Sequence, residues 1–363
     1  MTIHTFLQLS VDAAVKMQRN DGSMPPGHNG PYHHGETPVR KTAHWLVSFL
    51  KVFSLTGERR YRTAAEQAAL FLLRYENRPE KAAFLCLTEP GAHPSNGLIG
   101  QAGVIEALAE ASSVLDMPQC YEVAEEVFLF HPWDEKKGYW HKLHIDGRKD
   151  TFDYTFNHQL WFAAAAGMLK ETPVAIDRAG VFLRHIEDKM LLYKNGIIKH
   201  LNPYIIGRVA DLLKAPAKVL YFYGLHRKYL YQKSVGYHGF NLYALALLKQ
   251  SLPDNPVWAS GIIEKTASPL FRDQFKKEIG ESKYAYPYNP AGIEIAMFLQ
   301  TFYPDKDPDI QFWLESQFKK TWDSQQHMMS KNAYDTATNA ARMYEAARLS
   351  DVELKMEKNL QSH

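Results

Sequence analysis

The 363-residue chain carries 42 basic and 40 acidic side chains, a formal charge of +2, with 45% apolar and 13% aromatic residues. That balance argues against a nucleic-acid-binding arm or an acidic tail and leaves ample material for a large core. Its two cysteines, Cys86 and Cys120, argue against a disulfide framework or a Cys-rich zinc site.

The start of the chain lacks the basic and apolar regions of a signal peptide, and no uninterrupted apolar stretch reaches the roughly 18 residues of a membrane span, so a cytoplasmic location is expected. The first predicted element is an amphipathic helix over residues 6–18. Residues 37–74 then read as helix, turn, helix. Trp45, Leu46, Phe49, Leu50 and Phe53 recur at helical spacing, Leu55-Thr56-Gly57-Glu58 breaks the pattern, and residues 61–73 resume it. The same unit returns over 96–130, 155–190, 237–271 and 290–322, and a lone helix follows over 335–349. Residues 352–360 are too short and too charged to pair with it. The helix over 6–18 supplies the mate, which makes six hairpins closed into an all-α (α/α)6 toroid, one domain over residues 1–363. The alternative, an open superhelix of the same hairpins, would leave the first and last helices apart.

Turns within hairpins are short, whereas the connections between hairpins (residues 25–36, 87–95, 132–154, 281–289 and 330–334) are long and rich in aromatic, His and Asn residues. Long loops gathered on one face of a scaffold carry binding and catalysis. All of these lead into the N-terminal ends of the first helices of the hairpins, so one mouth of the ring is the expected site.

The first turns there offer Glu36, Arg40 and His44 along one helical face, then His93, Asn96 and Gln101. The run from Asp153 to Trp161, with Asn157, His158 and Gln159, is the densest polar cluster. Tyr237, His238 and Asn241 follow, then Tyr288, Asn289 and Glu294, then Asp335, Asn339 and Arg342. Taken singly, Asn96, Asp153 and Asp335 read better as helix caps. Caps do not need neighbouring His, Gln, Trp and Arg, so the set is read as a site. Asp153, His158, Asp335 and Glu294 are the expected catalytic residues. Arg40, His44, Asn157, Gln159, Trp140, Trp161, Tyr237, His238, Asn241, Tyr288, Asn339 and Arg342 are the expected substrate contacts, with the aromatic faces suited to stacking on sugar rings. His28, His33, His34 and Glu36 lack a His-x3-His helical pair, and neither a metal nor a cofactor is expected.

Residues 191–236 depart from the repeat. Lys194, Lys199, Arg208, Lys214, Lys218, Arg227, Lys228 and Lys233 stand there against the single acid Asp211, interleaved with Tyr221, Phe222, Tyr223, Tyr229 and Tyr231. Such an insert suits a solvated outer helix, a lid over an anionic substrate, or a surface for anionic lipid or a protein partner.

Two segments carry a resemblance. Gln18-Arg19-Asn20-Asp21-Gly22-Ser23 is similar to the Q-x-x-D-G-S segments of six-hairpin toroid glycosidases. The run from Phe53 through Gly57 and Tyr61 to Ala68 resembles the turn shared by unsaturated glucuronyl hydrolases and N-acylglucosamine 2-epimerase-like isomerases. The resemblance implies an enzyme of acidic oligosaccharides, with hydrolysis first and Asp153 as general acid or base beside Asp335 or Glu294. On the epimerase side it implies Arg40, His158 and His238. A lyase using Asn157, His158, Tyr237 and Arg40, and a non-catalytic glycan-binding or scaffold subunit, are the alternatives.

Overall fold

The computed structural model describes residues 1–201 and 227–355. The chain runs α1 (Ile3–Met17), α2 (Val39–Thr56), α3 (Arg59–Leu72), α4 (Gly97–Leu115) and α5 (Pro118–Phe130). Strands β1 (Trp133–Asp134), β2 (Tyr139–Leu143) and β3 (Lys149–Phe152) precede α6 (Phe156–Met168), α7 (Pro173–Arg184) and α8 (Ile186–Lys189). After α9 (Arg227–Gly236) come α10 (His238–Ser251), α11 (Gly261–Ala267), α12 (Asp273–Glu281), α13 (Ala291–Phe302) and α14 (Asp307–Thr321). A small hairpin, β4 (Trp322–Asp323) with β5 (Met328–Met329), leads to α15 (Thr336–Ala341), which tightens into 3-10 turns over Arg342–Arg348.

The inner helices close a ring: α2 packs on α4, α4 on α6, α6 on α10, α10 on α13, and the α15 segment returns to both α13 and α2. Inner helices are covered on nearly every side. In α10 every residue from His238 to Leu248 is buried, which is the pattern of a helix enclosed by neighbours. Outer helices bury one stripe, as in α3 with Tyr61, Ala64, Ala65, Ala68, Ala69, Phe71 and Leu72. The inner α13 approaches its outer mate α14 so closely at Gly292 that an added Cβ would lie 2.2 Å from the Trp313 carbonyl oxygen.

Closure is as expected. Helix α1 packs against α2 and the final 3-10 turn. Ile3 N–H donates to Val352 O at 3.0 Å and Leu354 N–H to Met1 O at 2.9 Å. Phe6 stacks on Phe318 at 4.3 Å and meets the edge of Trp322 at 4.7 Å. The Gln18–Ser23 segment folds α1 onto α3, since Gln18 Nε2 donates to Gly22 O and Ala64 O at 3.0 and 2.9 Å.

Three local expectations change. The connection over 132–154 is not irregular: β1, β2 and β3 form an antiparallel sheet with Trp133 opposite Trp140 and His141 opposite Phe152. Aromatic residues favour a pleated, half-buried surface, and Trp140 is fully buried there against Phe128, Phe162 and Trp133. The helix expected over 257–271 is two 3-10 turns, Pro256–Ala259 and Ser268–Phe271, around the short α11, and α12 follows; the second of these turns holds Pro269. Helix 174–190 divides at His185 into α7 and α8. Of the basic insert, Arg208, Asp211, Lys214, Lys218, Tyr221, Phe222 and Tyr223 lie outside the described residues, while Arg227, Lys228, Tyr229, Tyr231 and Lys233 form α9. Helix α4 has the length and hydropathy of a membrane span, but it is an inner helix packed between α2 and α6.

Candidate active site at the mouth of the ring

The long connections interlock through hydrogen bonds at the N-terminal ends of the inner helices. Asp335, the N-cap of α15, accepts from Thr338 N at 3.0 Å and reaches across to the loop before α2, accepting from His28 N at 2.6 Å and Gly30 N at 3.2 Å. In that loop Asn29 Oδ1 accepts from Arg40 Nη1 at 3.0 Å and from the Tyr288 hydroxyl at 3.1 Å. The hydroxyls of Tyr32 and Tyr237 meet at 2.8 Å. Four of the six hairpins thus meet in one polar cluster.

On the opposite wall Asp153 and His158 form a pair. Asp153 Oδ2 lies 2.8 Å from His158 Nδ1 and accepts from Leu98 N, at the start of α4, at 3.2 Å; Oδ1 accepts from Thr155 N at 3.2 Å. Burial would raise the Asp153 pKa, but His158 and the two amides outweigh it and hold the group below its ordinary value. Asp153 is therefore a carboxylate at neutral pH, able to orient or accept but not to donate a proton. His158 keeps 24% of its side chain exposed.

Deeper in the ring Arg342 bonds Glu345, Glu294 at 2.7 Å and Asn289 Oδ1 at 2.9 Å. Burial pushes Glu294 well above the usual carboxylate range, and repulsion from Glu345 adds to it; burial also carries Glu345 to about 7 despite Arg342. One cation shared by two buried carboxyls leaves a proton on the pair at neutral pH. Glu36 differs: burial raises it, but Lys41 at 2.8 Å and Arg40 at 2.5 Å hold it below its ordinary value. Two histidines are kept neutral chiefly by burial. His44 stacks on Tyr344 at 4.4 Å, and His200 lies 4.8 Å from the Tyr237 ring.

Several buried polar atoms of the inner helices lack a hydrogen-bond partner among the described residues. These are both amide atoms of Asn157, the oxygens of Asn241 and Asn339, and His44 Nδ1. Buried polar groups in native proteins are nearly all satisfied, so a set of orphans on four inner helical segments marks where a polar ligand or water completes the structure.

Other expected residues serve the wall. His238 is wholly buried, and its ring nitrogens lie 3.3 Å from Ile198 N and 3.0 Å from Thr266 O, on the outer side of α10. Gln159 ties the sheet to α6, accepting from Trp140 N and donating to Trp140 O and Asp153 O. Trp140 and Trp161 are buried in the packing; the Trp161 indole donates to Phe240 O at 3.1 Å and stacks on Phe240 and Tyr243. Neither forms an open sugar platform. Asp335 spends its oxygens on Thr338, His28 and Gly30, which makes it a staple between loops. Sequence reasoning passed over Asn29, Tyr32, Lys41, His200 and Glu345; of these, Glu345 was signalled by its i, i+3 spacing from Arg342.

Among the described residues one group of three metal-type donors occurs, His93, His144 and Asp150, beside the Asp153 wall. Lys142 Nζ sits 2.8 Å from Asp150 Oδ2, closer than His93 Nε2 at 3.3 Å or His144 Nε2 at 3.9 Å. The lysine neutralises the carboxylate that a metal would use.

No family model matches the chain. It is 37% identical over 369 residues to archaeal glycosylation protein Q of Haloferax volcanii, covering 98% of this chain and all of that one. The structure is similar to cellobiose 2-epimerase from Bacillus thermoamylovorans B4167, with a TM-score of 0.65, 11% identity, and coverage of 94% of this chain and 98% of that chain. It is similar also to an unsaturated glucuronyl hydrolase specific for heparin, with a TM-score of 0.57, 10% identity, and coverage of 95% and 96%. The structural matches show the (α/α)6 toroid fold expected from the repeated hairpins. With more than a third of its residues identical over essentially the whole of both chains, the protein belongs to the family of archaeal glycosylation protein Q.

Proposed function

We propose that this protein is a carbohydrate-active enzyme that acts on an acidic oligosaccharide in the mouth of the ring, with His158 as general base and Asp153 as the carboxylate that orients it. The observation that carries the reading is the Asp153–His158 pair at 2.8 Å, set beside the unpartnered amide of Asn157 and the unpartnered amide oxygen of Asn241. An ionised carboxylate fixes the ring orientation of its histidine and stabilises the cation formed when the ring takes a proton. Free amide atoms suit sugar hydroxyls, which both donate and accept. The first reaction is proton abstraction next to a carbonyl or carboxylate, as in an epimerase or lyase. The name of the Haloferax volcanii relative, a glycosylation protein, and that of the cellobiose 2-epimerase support a saccharide substrate.

A second reading, glycoside hydrolysis, is favoured by Glu294, a buried carboxyl held protonated. It replaces Asp153 with Glu294 as the acid. Incubation with uronic-acid and neutral oligosaccharides in D2O and in H2-18O, read by mass spectrometry, separates the two. Abstraction and return of a C–H proton incorporates deuterium, whereas hydrolysis incorporates the heavy oxygen. A protein that leaves every saccharide unlabelled and unchanged refutes both.

A further inference from the structure

We propose that Lys233, set among tyrosine rings at the rim of the mouth, binds the anionic group of the substrate, a carboxylate or a phosphoryl group. The inference rests on the saccharide reading above and assigns the charge recognition within it.

The cations first expected to meet a uronate are already engaged by buried acids. Arg40 and Lys41 both pair with Glu36, and the Asp335 carboxylate also acts on Lys41, while Arg342 pairs with Glu294 and Glu345. Drawing Arg342 to a substrate would strand a buried carboxylate, which is strongly destabilising, and drawing Arg40 away would break its bonds to Glu36 and Asn29. Lys233 stands differently. Its Nζ lies 5.0 Å from the ring centre of Tyr32, 5.7 Å from that of Tyr284 and 5.9 Å from that of Tyr237. The charged neighbour that acts on it is another cation, Lys283, whose own Nζ lies 5.1 Å from the Tyr284 ring. No carboxylate of the described residues pairs with either lysine.

Burial first, and Lys283 second, bring Lys233 down to about 8. Aromatic faces stabilise an ammonium but do not cancel its charge. An incoming anion does so, and its binding restores the proton that burial disfavours. The box also stands beside the proposed base. Ser234, next in the chain to Lys233, accepts from His200 N at 3.0 Å, and the charge on His200 is opposed by both Lys233 and His158. The Tyr32–Tyr237 hydroxyl pair joins the same box to the cluster of Tyr288 and Arg40. An anion held on Lys233 therefore sets the rest of a sugar between that cluster and His158.

The test is calorimetric titration of the full chain with glucuronate, glucose and inorganic phosphate, on the natural protein and on Lys233→Met and Lys233→Arg. The natural protein should bind glucuronate roughly ten to a hundred times more tightly than glucose, the range of a charged hydrogen bond. Lys233→Met should bring the two sugars level, and Lys233→Arg, which keeps the charge, should hold most of the preference. Glucose binding without any preference for glucuronate, or a preference that survives in Lys233→Met, overturns the assignment and leaves the saccharide reading standing. Phosphate binding that Lys233→Met abolishes, with neither sugar bound, upholds the anion site, identifies a phosphoryl ligand and rejects the uronate. Binding of none of the three probes to the natural protein rejects the site. Melting temperatures of the two variants verify that losses are not losses of fold.

Discussion

Asp153 holds His158 with the same oxygen that caps α4: Oδ2 lies 2.8 Å from His158 Nδ1 and accepts from Leu98 N at 3.2 Å. One atom thus joins the proposed base to the frame of the ring. Substitutions on the two sides of this contact should separate chemistry from stability. His158→Ala should cost about a hundredfold to ten-thousandfold in turnover, the span of general base catalysis, with a smaller loss of stability than Asp153→Asn because Asp153 keeps its bonds to Leu98 N and Thr155 N. Asp153→Asn should lower turnover as well, and should also destabilise the fold by about 1–3 kcal/mol because a buried charged acceptor is lost. Thermal melts beside initial rates read both effects. Full turnover in His158→Ala would remove the base from the mechanism.

The buried acids give a pH dependence of opposite sign at the two ends of the scale. Burial raises Glu345 to about 7, so the stability tied to its protonated form is complete at low pH and is lost as pH rises through the neutral range. Glu345→Gln should flatten that loss in melts taken between about pH 5 and 8. Asp335 behaves the other way. Burial opposes its charge, but Thr338 and Lys41 hold it at about 2, against 3.8 for the free side chain. Its contribution is present above 3.8 and disappears as pH falls towards 2, so Asp335→Asn should remove the acid-side dependence while loosening the His28–Gly30 loop. Melts that keep the natural slope in either variant would assign the dependence elsewhere.

Gln159 tests the distinction between wall and site. Its side-chain amide spans Trp140 N, Trp140 O and Asp153 O inside the protein. Gln159→Ala should therefore destabilise by about 1–3 kcal/mol, as expected for unsatisfied buried partners. The KM of the folded fraction should stay close to natural. A large rise in KM with unchanged stability would return Gln159 to the substrate contacts.

The six-hairpin order is legible in the sequence because helical periodicity and short Gly, Pro and Asp turns are local signals, repeated until only one helix at each end lacks a mate. The mouth follows from the lengths of the connections. What a helix buries is harder to read. His158 and His238 both stand in the first turn of an inner helix, yet one meets Asp153 near solvent and the other is fixed between Ile198 and Thr266 in the wall. Angular position around the axis decides this, and it depends on neighbours distant in sequence. Charge saturation was partly visible: Glu36 lies four residues before Arg40, and Glu345 three after Arg342, spacings at which side chains meet on a helix. The surroundings of Lys233 were not, since Tyr32 and Tyr284 reach it from different hairpins.

Gly97 offers the sharpest test of the Asp153 geometry without touching either member of the pair. Its φ is +61°, in the left-handed region, and a Cβ there would lie 2.5 Å from Asp153 Oδ2 and 3.5 Å from Lys142 Cδ. Gly97→Ala strains the backbone by about 1–2 kcal/mol and drives the carboxylate from its place between Leu98 N and His158. The variant should melt lower by the equivalent of that strain. It should also lose turnover to an extent comparable with Asp153→Asn, although Asp153 and His158 are both present. A parallel measurement of glucuronate affinity should show little change, because an added Cβ at Gly97 meets Asp153 and Lys142 and leaves the proposed anion site on Lys233 untouched. If Gly97→Ala loses stability but retains full turnover, the exact placement of Asp153 does not matter to the reaction, and His158 works without its carboxylate.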